Sequence, residues 1–109
     1  MTAYEKVQVA INALEDMKAS NIEVLDVKER TSLAEYFVVA SCQSTVQVRA
    51  CIDEVEEQLE QKGISKLNKE GYSTGAWVLI DYGDIVVHVM QQGEREFYGI
   101  ERLWDSVSD

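Results

Sequence analysis

The sequence predicts an α+β fold (mixed α/β) in which helices cover a mixed β-sheet. Two stretches repeat their apolar residues at helical spacing, and β-rich runs lie between and after them. The resulting order is helix, strand, strand, helix, short strand, strand, strand, helix, which a layered sheet-and-helix domain accommodates.

Each element has a local cause. Thr2 stands three residues before Glu5, a capping-box spacing, and Val7, Ile11 and Leu14, followed by Met17 or Lys18, continue one helical face over residues 3–19. The period then changes. Ile22, Val24, Leu25 and Val27 read as a short strand that closes at Lys28-Glu29-Arg30. A turn over Thr31 to Ala34 leads into Tyr36 to Ala40, a continuous apolar run suited to burial on both sheet faces. Ser44 and Gln47 repeat the capping spacing, Val48, Ile52, Val55 and Leu59 line the helix that follows, and Gly63 ends it. Residues 64–75 are rich in Gly, Asn, Ser and Thr and read as the mobile loop, with a short edge strand over Ser65 to Leu67. After a hairpin over residues 77–90, Phe97, Ile100, Leu103 and Trp104 share a face of a last helix that Gly99 weakens.

The 109 residues fit one domain spanning 1–109, long enough to bury a core without disulfides or metal. No apolar run approaches the roughly 18 residues of a membrane-spanning helix. The first residues lack the organisation of a secretory or transit signal, so the expected compartment is the cytoplasm. Cys42 and Cys51 form no C-x-x-C pair, and a single histidine cannot complete a zinc set; both thiols read as reduced core residues. Twenty acids against ten bases give a net charge of −10. That balance argues against a groove for nucleic acid and suits a basic protein partner, although an acidic surface also serves solubility alone.

The hairpin "WVLIDYGDIVVHVM" holds the informative residues. A two-residue loop through Gly83, either Tyr82-Gly83 or Gly83-Asp84, puts Val78, Ile80, Ile85, Val87 and Val89 on one face. The other face carries Trp77, Leu79, Asp81, Asp84, Val86, His88 and Met90. The first is a core surface; the second has the composition of a protein contact patch, or of a face buried under a helix. A catalytic reading is weak, because His88 lies along a strand away from the aspartates near the turn. No phosphate loop, nucleophile elbow or activated thiol accompanies it.

"SLAEYFVVAS", "STVQVRA", the hairpin and the ending "REFYGIERLW" together resemble the ribosomal silencing factor family, the Iojap-related proteins, over nearly the whole chain. The resemblance implies a nucleotidyltransferase-like fold without catalytic residues. It also implies binding to the large ribosomal subunit through its protein number fourteen, blocking of subunit joining, and lower translation when nutrients run short. Organellar relatives are linked to large-subunit assembly, the alternative role. A nucleotidyltransferase-type enzyme would need a Gly-Ser turn and an Asp-x-Asp pair, and the chain has neither. No cofactor, metal or membrane is therefore expected.

On this reading Trp77, Leu79, His88 and Met90 are the expected anchors, Asp81 supplies a charge contact, Tyr98 stands beside them and Arg95 lies at the rim. Trp104 is expected in the core. An exposed apolar hairpin face also leaves a homodimer open.

Overall fold

The computed structural model describes residues 1–98. Helix α1 (Ala3–Asp16) is followed by β1 (Ser20–Asp26), β2 (Tyr36–Cys42), α2 (Thr45–Gln61), β3 (Asn68–Glu70), β4 (Trp77–Asp81), β5 (Ile85–Gln91) and α3 (Gln92–Tyr98). The strands form one mixed five-stranded sheet in the order β1-β2-β5-β4-β3. Only β2 and β5 run parallel; the other neighbours are antiparallel. The chain needs α2 and the β3–β4 excursion between β2 and β5, which is the length a parallel connection requires.

The helices start where their caps dictate. Thr2 and Glu5 exchange both hydrogen bonds of a capping box. At α2 the Ser44 side chain accepts from the Gln47 amide, but the Gln47 side chain accepts from Gln43 N–H rather than closing a box on Ser44. Gly63, at φ +80°, follows the C-cap Lys62. The edge strand forms at 68–70 rather than at 65–67, because Asn68, Lys69 and Glu70 pair with Asp81, Ile80 and Leu79.

Both long helices lie on one face of the sheet. Val7, Ala10, Ala13 and Leu14 of α1 and Val48, Cys51, Ile52, Val55 and Leu59 of α2 pack on Val38, Ala40, Val78, Ile80, Ile85, Val87 and Val89. Burying this set supplies the main driving force for folding, at roughly 25 cal/mol per Å² of apolar surface. Cys42 and Cys51 belong to this core as free thiols, their sulfurs 3.3 Å apart. The hydrogen bond to Cys51, and then burial, hold the Cys42 thiol above its ordinary range.

The opposite face is covered in part. The loop after β1 brings Val27 and Ala34 against Leu25, Phe37, Val39 and Met90, and Trp77 and Val86 pack at the margin of this second cluster. Phe37 to Cys42 is buried toward both layers, as the continuous apolar run over Tyr36 to Ala40 predicts, with Tyr36 half-buried.

Candidate docking face

Tyr82 N–H donates to the Ile85 carbonyl, so the hairpin loop is Gly83-Asp84. Gly83 takes φ +91°, which favours glycine there. In this register Asp81 pairs with Val86, Leu79 with His88 and Trp77 with Met90. All six therefore share the sheet face turned away from α1 and α2, as the alternation of the sequence predicts. Leu25, Phe37 and Val39 extend that face across β1 and β2, a contribution that alternation along Tyr36 to Ala40 could have revealed.

Exposure varies across the face. Trp77, Leu79, Asp81 and Val86 are half-buried. Met90 is fully buried, and His88 is 5% exposed. These two are therefore not exposed anchors as the sequence suggested: Met90 packs with Val27 and Ala34 of the loop after β1, and His88 packs on Phe37. Trp77 Nε1–H donates to His88 Nδ1 at 3.1 Å, and the His88 ring packs 4.9 Å from the Phe37 ring. Burial holds the imidazole down at about 4, so it is neutral at physiological pH.

Arg95 also departs from expectation. It is 7% exposed, not at a rim. Its guanidinium donates to the Asn21 carbonyl and, at 3.3 Å, to Ser41 Oγ, and it lies 3.5 Å from Glu23. These contacts fasten α3 to the β1–β2 edge. Tyr98 is the last residue of α3, and its side chain lies outside the described residues, as do Ile100, Leu103 and Trp104.

The two aspartates do separate jobs at the turn. Asp81 Oδ1 accepts from Gly83 N–H at 2.7 Å, an Asx-type contact that shapes the hairpin loop. Asp84 is bound 2.9 Å from Lys6 Nζ and ties the turn to α1, so it does not join the contact face on which alternation placed it. Neither faces His88 as an acid–base partner. A groove of about 360 Å³ beside the turn is lined by Lys28, Thr31, Leu33, Glu35 and Asp84 among others. Lys28 is engaged there with Asp26, as Asp84 is with Lys6. Among the described residues no cluster of three or more His, Cys, Asp or Glu side chains is arranged to hold a metal ion, and no helix is long and apolar enough to cross a membrane.

The arrangement is thus a partly apolar sheet face with an acid at its edge. Comparison with known proteins gives the family. A family profile described as "Ribosomal silencing factor during starvation" matches residues 1–109. A curated Chromobacterium violaceum protein named ribosomal silencing factor RsfS is 42% identical over 104 residues, covering 95% of this chain and 85% of that one. Its counterpart of the same name from Halalkalibacterium halodurans is 38% identical over 104 residues, covering 95% and 89%. A crystal structure of a Chromobacterium violaceum protein superposes with a TM-score of 0.94 at 42% identity, covering 96% of this chain and 88% of that one. With the profile spanning every residue and the fold reproduced, the chain belongs to the ribosomal silencing factor family.

Proposed function

We propose that the protein docks on the large ribosomal subunit through that subunit's protein number fourteen and obstructs joining of the small subunit, repressing translation without catalysing a reaction. The observation that carries this is the sheet face turned away from both long helices, where Trp77, Leu79 and Val86 stay half-buried beside Asp81. The names of the relatives supply the ribosome as partner. A net charge of −10 supports a basic protein as the docking point, since it speeds encounter with a basic surface and disfavours bare RNA. The site of action is the cytoplasm, where subunits join. A second copy of the chain on the same face would compete with docking.

The test is subunit reassociation followed by light scattering. Large subunits preincubated with the protein are expected to give a reduced scattering rise when small subunits are added. Normal joining by large subunits that still carry the protein would remove the occlusion mechanism and favour a role in large-subunit assembly.

A further inference from the structure

We propose that His88 is a positioning residue for docking: its Nδ1 captures the indole N–H of Trp77 and holds that ring in the orientation the partner meets. The inference rests on the docking reading above and assigns a task to a side chain that lies too deep to be an anchor itself.

Trp77 pairs with Met90 and Leu79 pairs with His88, so Trp77 and His88 are diagonal neighbours on adjacent antiparallel strands. Long aromatic side chains bridge that diagonal separation. The bridge here is specific: Nε1 to Nδ1 is 3.1 Å, with ring centroids 6.1 Å apart and planes at 53°. The imidazole is itself immobilised, being 5% exposed, packed on the Phe37 ring and placed beside Val39 across the parallel pairing.

The bond fixes the proton inventory. Because Nδ1 accepts, the neutral ring carries its proton on Nε2. That Nε2 is buried and has no hydrogen-bond partner among the described residues. Burying an unpaired donor opposes folding, and an apolar residue of similar size would bury more favourably at this position. The imidazole therefore offers the fold one thing that Phe or Leu does not, an acceptor aimed at Trp77. With its N–H engaged internally, Trp77 presents its apolar ring at the half-buried edge in one preferred orientation. A partner that meets a preset ring loses less side-chain freedom on binding.

The experiment uses the full chain and two substitutions. His88→Phe keeps an aromatic ring but removes the acceptor, whereas His88→Asn keeps an acceptor near the position of Nδ1. The first readout is the Trp77 indole N–H resonance and its solvent exchange, assigned with Trp104→Phe because the chain has two tryptophans. The second is affinity for purified large subunits. His88→Phe is expected to free the Trp77 indole N–H and to weaken binding on the order of three- to tenfold; His88→Asn restores much of both. Trp77→Phe removes the same hydrogen bond from the other side, so adding His88→Phe to it should cost no further affinity.

An unchanged Trp77 indole signal in His88→Phe would overturn the proposal, as would native affinity in that variant while Trp77→Ala binds poorly. If His88→Phe does not fold, His88→Leu, which also removes the acceptor, decides: a freed Trp77 indole N–H with weakened binding upholds the proposal, and native affinity overturns it. Failure of the native protein to bind large subunits would instead sink the docking reading itself, a result the indole signal does not produce.

Discussion

Arg95 and Asn21 are 74 residues apart in sequence, yet the Arg95 guanidinium donates to the Asn21 main-chain carbonyl. Asn21 adopts φ +50° where the pairing of β1 with β2 shifts register, and the same guanidinium reaches Ser41 and Glu23. Arg95 thus closes one edge of the sheet onto α3. Arg95→Ala is expected to destabilise the protein by about 2 kcal/mol, the loss of charge-assisted hydrogen bonds to the Asn21 carbonyl and to the buried Ser41 hydroxyl. Arg95→Lys should recover little of this, because an ammonium does not reproduce the planar fork. Urea denaturation of the three proteins measures the difference.

Acidification should report on His88. Its folded value of about 4 lies below the unfolded 6.5, so the unfolded chain takes up a proton first and stability falls as pH drops through that window. The loss reaches about 3 kcal/mol when complete. Glu5, Asp26 and Glu56 also have lowered values, but they protonate below the ordinary carboxylate range, so their losses come later. The difference between native protein and His88→Asn in denaturation midpoints from pH 6.5 to 5 should therefore isolate the imidazole. A constant difference across that range would contradict its buried neutral state.

Two glycines should respond unequally to alanine. Gly71 and Gly63 share positive φ values, +82° and +80°. A Cβ at Gly71 would run into the Trp77 main-chain carbonyl, whereas one at Gly63 meets nothing within 4 Å. Gly63→Ala carries the left-handed backbone cost alone, about 1 kcal/mol, and Gly71→Ala at least about 2 kcal/mol with displacement of the start of β4. Thermal unfolding ranks the pair, and large-subunit affinity of Gly71→Ala should fall as Trp77 moves.

At the hairpin turn, charge and shape separate by substitution. Asp81→Asn keeps an oxygen for Gly83 N–H and removes the charge, while Asp81→Ala removes both. If Asp81 meets a basic partner, both variants lose large-subunit affinity. Only Asp81→Ala should also lose stability, by about 1 kcal/mol. Affinity measured at low and raised salt should converge for native and Asp81→Asn as screening grows.

The buried thiols give a simple readout. Cys42 and Cys51 are 2% and 0% exposed, so neither should react with iodoacetamide in the native protein. Both should label on unfolding. Rapid native-state labelling, followed by mass spectrometry, would show that the α2–β2 contact opens readily.

The starts of the two long helices and the faces of both hairpin strands are legible in the residues alone. Thr2 and Ser44 cap helices that begin where their spacing says, and alternation from Val78 to Val89 buries Val78, Ile80, Ile85, Val87 and Val89 together on one face. Those are local rules of period and capping, and they need no knowledge of what lies across the sheet. The family likeness was equally legible in the residue strings. Depth along the second face follows instead from long-range packing. Met90 is buried beneath Val27 and Ala34 of the loop after β1 and His88 lies against Phe37 of β2, while Val86 on the same strand and Leu79 on β4 stay half-buried. Strand order is a long-range property, as are the captures of Arg95 by Asn21 and of Asp84 by Lys6. Alternation assigns a side to each residue, but its exposure depends on neighbours that the chain brings in from tens of residues away.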